Sequence, residues 1–149
     1  MTAPAGWTRL MLEALASHLG EVTSATWRPT GAYLAGDTAI TIARRPTSPD
    51  RLIVLTPYVS GYTIPGLDSP GLQVWFRGEP GYVLDLADEV DEALNGLHDV
   101  PLGPAWLTQI TRKNGDDLGA DQGTDPSGRH ERVHNYYLTA SRQWPHYAP

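Results

Sequence analysis

The chain contains no cysteine. That single absence removes disulfides, thiolate metal ligands and cysteine nucleophiles, so packing, hydrogen bonds or partner subunits must hold the fold. Positive charge is also scarce: Lys+Arg 11 against Asp+Glu 17 leaves a net charge of -6. This is the wrong sign for counterion-release binding to a phosphate backbone. An acidic surface can nevertheless let DNA pass without holding it. No stretch approaches the roughly 20 apolar residues of a membrane span. Residues Met1 to Gly6 lack the basic start and apolar run of a secretory signal. The expectation is a protein outside membranes that begins in a cytoplasm. Low complexity is missing as well, because Gly 15 and Pro 13 in 149 residues stay below the roughly 25–30% that marks it. What remains is the size of one domain, residues 1–149, with a single core and many turns.

Periodicity supplies the elements. Trp7, Leu10, Met11, Ala14, Leu15 and Leu19 recur at three- and four-residue steps, predicting a helix over Thr8 to Leu19 that stops at Gly20. A short β-favouring piece at Ala25 to Arg28 precedes the turn-rich Pro29 to Asp37, and Thr38 to Ala43 puts Ile40 and Ile42 on one side of a strand. The run Leu52-Ile53-Val54-Leu55, set between Pro49-Asp50 and Pro57, has the length of a central strand. Leu72, Val74 and Phe76 alternate with Gln73, Trp75 and Arg77, predicting a strand with one covered face and one mostly polar face. The stripe Val83, Leu86, Ala87, Val90, Leu94 and Leu97 predicts a second helix with acidic residues partly in its early turns, where its dipole favours them; Asn95-Gly96 weakens its last turn. Past the Pro101 to Pro104 connection, Ala105 to Arg112 and Glu131 to Ser141 read as strands that pair as an antiparallel hairpin. The intervening residues 113–129 make an unusually long loop, rich in Gly and Asp. The expected class is α+β, a mainly antiparallel sheet with two helices packed on one face.

Short motifs bear on three chemistries. His130-Glu131-Arg132-Val133-His134 matches the zinc-protease pattern H-E-x-x-H, which needs both imidazoles on adjacent turns of a helix with the glutamate as base. The strand-like Asn135-Tyr136-Tyr137-Leu138-Thr139 that follows argues instead for extended backbone, with the histidines about 13 Å apart. Asp116, Asp117, Asp121 and Asp125 suggest calcium, yet they lack the alternating spacing and closing glutamate of an EF-hand. No serine stands in G-x-S-x-G, and no glycine-rich loop is followed by Lys-Ser/Thr. No catalytic, cofactor or metal residue is therefore expected. The five tryptophans and seven tyrosines carry more: Trp75 lies opposite Leu72, Val74 and Phe76, and the neighbours Tyr136 and Tyr137 must point to opposite faces. Either such aromatics pack under a loop, or they form a subunit interface, where Trp, Tyr and Arg are enriched. The interface candidates are Trp75, Arg77, Arg132, Tyr136 and Tyr137, with Asp116, Asp117, Asp121 and Asp125 of the acidic loop.

The segment Gly128-Arg129-His130-Glu131-Arg132-Val133-His134-Asn135-Tyr136-Tyr137-Leu138, followed by Arg142, resembles the C-terminal signature of a family in phages of actinobacteria. Those proteins are labelled minor capsid or minor tail proteins and are similar in role to tail terminators. The likeness continues through Leu15-Ala16, Ala25-Thr26-Trp27-Arg28-Pro29, Gly31-Ala32-Tyr33, Pro49-Asp50-Arg51, Leu55-Thr56-Pro57-Tyr58 and Gln73-Val74-Trp75-Phe76-Arg77-Gly78. Any one piece is weak, whereas the ordered set spans nearly the whole chain. The resemblance implies a non-enzymatic virion subunit that forms a ring, commonly a hexamer, on the last ring of tail-tube protein and meets the head-completion proteins. DNA would cross its lumen without tight binding, and the acidic loop is expected at the lumen or the tube-facing rim. A head-closure or adaptor protein of the neck is the near alternative. A zinc peptidase and a host-encoded binding domain are the remote ones.

Overall fold

The computed structural model describes residues 5–59, 67–117 and 128–142. Its elements are α1 (Trp7–Val22), β1 (Thr26–Trp27), β2 (Thr38–Ile42), β3 (Arg51–Val59), β4 (Leu67–Asp68), β5 (Pro70–Gly78), α2 (Pro80–Leu94), β6 (His98–Leu102), β7 (Ala105–Asp117) and β8 (His130–Ser141). The strands form one sheet in the order β1-β2-β3-β5-β8-β7-β6, with β4 added to β8. Parallel pairing is confined to β1-β2-β3, and the other pairs are antiparallel. The α+β class is thus as expected, including the β7–β8 hairpin.

Both helices cover one face because their stripes are apolar at helical spacing. Met11, Leu12, Leu15, Ala16 and Leu19 of α1, and Val83, Leu86, Ala87, Val90 and Leu94 of α2, meet Ile40, Ile53, Leu55, Val74, Phe76, Tyr136 and Leu138 from alternate strand positions. Fully burying a side chain of this size contributes about 1.5–3 kcal/mol, so this layer dominates stability.

Several boundaries differ from expectation. Gly20 does not end α1, which runs on to Val22 and is capped by Thr23, whose N–H and hydroxyl both donate to the Leu19 carbonyl at 2.9 and 2.6 Å. The glycine instead permits close approach: a Cβ there would lie 3.1 Å from the Trp27 Cβ of β1. Helix α2 starts at Pro80 with no acidic residue in its first turn, so the proposed dipole assistance is not present, and Leu97 packs on the core from beyond the helix end. Pro101 and Leu102 belong to strand β6 rather than to a connection, and neither β6 nor β4 was anticipated. Lys113 to Asp117 continue β7, so the loop expected at 113–129 begins no earlier than residue 118.

The largest correction concerns the sheet's second face. The polar face expected for β5 is closed beneath a second apolar cluster of Ala39, Leu52, Val54 and Trp75, with Tyr33 and Val133 packed against it. The cover is the connection between the parallel strands β2 and β3, residues 43–50. Parallel neighbours ordinarily need a crossover of about a dozen residues, usually a helix. Here an irregular segment with several bends makes it, and its backbone needs partners that a helix would supply internally. Arg77 provides them: its Nε donates to the Asp50 carbonyl at 3.1 Å, and its Nη2 to those of Pro46 and Pro49 at 2.7 and 2.8 Å. Arg129 Nη1 adds bonds to the Thr47 carbonyl at 2.9 Å and the Asp50 carboxylate at 3.0 Å.

Candidate assembly surface

Residues 130–134 are extended backbone and not a helix. They open strand β8, with His130 opposite Gly78, Glu131 opposite Arg77 and His134 opposite Val74 in the register with β5. Alternation carries His134 to the helix-covered side and Glu131 to the other. The side chains needed for zinc proteolysis therefore do not converge. Among the described residues no group of three or more His, Asp or Glu is placed to hold a metal ion.

His134 is instead one link in a buried polar chain. Arg132 Nε can only donate, and it lies 3.1 Å from His134 Nε2, which fixes that nitrogen as the acceptor and puts the ring proton on Nδ1. Nδ1 then faces the Tyr136 hydroxyl at 3.3 Å, and that hydroxyl donates to Asp91 Oδ1 of α2 at 2.8 Å. The other Asp91 oxygen pairs with Arg112 Nη1 at 3.2 Å. Burial, with the nearby Arg132 and Arg112 charges second, lowers the His134 pKa to about 4. Burial and the bond to Asp91 raise that of the Tyr136 phenol. Both groups are neutral near pH 7. The Phe76 ring meets His134 edge-on at 5.3 Å, and Gly115 lies opposite it, where a Cβ would come within 2.7 Å of the imidazole. The chain ties β7, β8 and α2 together.

The nine interface candidates divide accordingly. Trp75, Arg77 and Tyr136 are buried within the chain, at 3%, 4% and 0% exposure. Trp75 does lie away from the helices, but the crossover covers it, with the Arg45 guanidinium 4.4 Å from its ring centroid. Trp75 thus packs under a loop of its own chain. Arg132 is half-buried and engaged with His134. Tyr137 reaches the surface at 40% exposure. Asp116 is exposed on β7 opposite Val133, and Asp117 ends that strand opposite Arg132. Asp121 and Asp125 lie outside the described residues.

Trp106 was missed. The crossover covers only the β2, β3 and β5 part of the second face; over β7 and β8 none of the described residues covers it, and it carries Trp106 at 48% exposure with Gln109, Thr111, Thr139 and Tyr137. Tyr58 of β3 meets Tyr137 at 6.5 Å between centroids, and burial followed by the Tyr137 neighbour raises its pKa. Lys113 Nζ sits 5.6 Å from the Tyr137 centroid. The signal in sequence was the exposed phase of Ala105 to Arg112, where Trp106 falls opposite Leu107 and is therefore on the uncovered side. Along the outer edge of β7, the N–H groups of Ile110 and Arg112 are satisfied by the Leu97 carbonyl and the Asn95 side chain. From Lys113 to Asp117 that edge has no strand beside it among the described residues. An aromatic open sheet face next to a free strand edge is the anatomy of a protein–protein contact.

The family model described as bacteriophage tail terminator protein matches residues 18–142. The chain belongs to that family. No curated protein matches the chain. The matched span includes the crossover, the buried polar chain and the open face, so these features lie within the family's own domain. The family is one of structural tail proteins, and membership makes this chain a virion component. Among the described residues no helix is long and apolar enough to cross a membrane.

Proposed function

We propose that this chain is the tail terminator of a long-tailed phage, a mechanical subunit without catalytic activity. It assembles into a homo-oligomeric ring, six copies on the family resemblance, and caps the last ring of tail-tube protein. The opposite side of the ring docks the head-completion proteins at the head-to-tail junction, after assembly in the host cytoplasm. DNA crosses the lumen without being held, which suits a net charge of -6. The hairpin end bearing Asp116 and Asp117 is assigned to the lumen or the tube-facing rim.

The observation that carries this reading is the open aromatic face of β7 and β8, held by family membership in a domain of structural tail proteins. A face of this kind left uncovered in one chain is a surface for another. Negative-stain imaging of the purified chain with and without its tail-tube protein tests it. Rings capping tube ends are expected. A chain that remains single and indifferent to tubes refutes the proposal, and one that binds only head-completion proteins is a neck adaptor instead.

A further inference from the structure

Beside β1 and β2, at the edge of the sheet away from the hairpin, lies a groove of about 700 Å³. The α1 surface, residues 27–33 and the crossover line it, with Arg9, Arg28 and Arg44 as its cations and Glu13 as its one carboxylate. Arg9 pairs with Glu13 at 2.9 Å and Arg28 with Asp37 at 3.3 Å, whereas Arg44 is exposed and has no ion-pair partner among the described residues. Its position is fixed from behind, since the Thr41 hydroxyl donates to the Arg44 carbonyl at 2.6 Å. Leu34, next in the chain after the groove residue Tyr33, is 65% exposed, and its N–H is bonded to the same Asp37 carboxylate that Arg28 uses.

Helix α2 presents the complementary surface. Pro80–Leu94 contains no Lys or Arg. Asp85, Asp88 and Glu92 lie along its outer side, exposed and without ion-pair partners among the described residues. Leu84 stands beside them at 45% exposure. The groove thus carries one unpaired cation, Arg44, beside two arginines whose exposed ion pairs can be exchanged, and α2 carries unpaired carboxylates, so the two surfaces are opposite in net sign.

We propose that copies of this chain join head to tail through these two surfaces, the Asp85, Asp88 and Glu92 side of α2 in one copy seating in the Arg9, Arg28 and Arg44 groove of the next. The two patches are different, so the contact is heterologous, the kind that closes into a ring when its rotation permits. The inference rests on the ring reading above and adds the residues that make the ring. It also explains why α2 keeps an uncompensated row of carboxylates, which repel one another in an isolated chain.

The test uses two double reversals of the full chain, R9E/R44E and D85R/D88R, with circular dichroism confirming that each folds. Oligomer size is followed by light scattering on a sizing column and by imaging on tail-tube ends. The wild-type chain is expected to form rings that weaken as salt rises. Each variant alone should need about tenfold or more additional protein to assemble, because every contact then sets like charges together. An equimolar mixture of the two should recover rings, since alternating copies place opposite charges at every contact. If both variants assemble as the wild type does, this contact is wrong while the ring reading stands. If R9E/R44E keeps its rings but no longer caps tubes, the groove faces the tube protein and the proposal is overturned. If the wild type forms no ring even on tube ends, the ring reading falls and this inference falls with it.

Discussion

Acid should destabilise this protein through His134. His134 is fully buried and held neutral, with its pKa lowered from 6.5 to about 4 by burial and by Arg132 and Arg112. Unfolding returns it to water and to the ordinary value. Between pH 6.5 and 4 the unfolded chain therefore binds a proton that the folded chain refuses, and stability must fall as pH falls. The contribution is complete above pH 6.5 and lost by about pH 4. At 1.36 kcal/mol per pH unit the full loss is about 3 kcal/mol, a large share of the 5–15 kcal/mol typical of a domain. Replacing His134 with Gln keeps an acceptor for Arg132 and removes the titration. Urea unfolding followed by tryptophan fluorescence, at half-unit steps from pH 7.5 to 4, measures the difference. From pH 7.5 to 4 the wild type is expected to lose about 2–3 kcal/mol more stability than H134Q, whatever the offset between them at pH 7. Glu79, held below the usual carboxylate range by Arg51, titrates in both proteins and cancels. Two parallel curves would refute the argument, because they would mean that His134 accepts its proton as readily folded as unfolded.

Other expectations follow from single contacts. Arg77→Lys removes the fork that binds the Pro46, Pro49 and Asp50 carbonyls, and a loss of about 2–4 kcal/mol should appear in denaturant midpoints, with a change in Trp75 emission as the crossover loosens. Gly115→Ala would push a methyl to 2.7 Å from the His134 ring and should cost about 1–3 kcal/mol, read as a lowered melting temperature; an unchanged melting point would show that the hairpin shifts freely. Phe76→Ala empties a fully buried position between the sheet and α2 and should cost about 3–5 kcal/mol. Trp106→Ser removes an aromatic ring that is 48% exposed; stability should move by under about 0.5 kcal/mol while binding to tube or neck proteins drops, and unaltered binding would remove the open face from the assembly surface.

Some of this protein was settled along the chain itself. Residue alternation is a local property, so the two helices, the hairpin strands and the extended backbone at His130 to His134 were all legible without knowing what they touch. The absence of cysteine and the shortage of cations narrowed the chemistry in the same way. The tertiary structure decided what covers what. Trp75 and Arg77 alternate with apolar neighbours and so resemble an exposed face, and only the passage of residues 43–50 over them makes them a second core. Gly20 looked like a stop because its close neighbour Trp27 lies on another element. Alternation along β8 puts Arg132, His134 and Tyr136 on one face, but no spacing rule links them to Asp91 of α2 or Arg112 of β7, which complete the polar network. Periodicity reports which side of an element a residue takes, whereas burial, protonation and exposure to a partner depend on contacts between segments far apart in sequence, which form only when the sheet closes on its two covers.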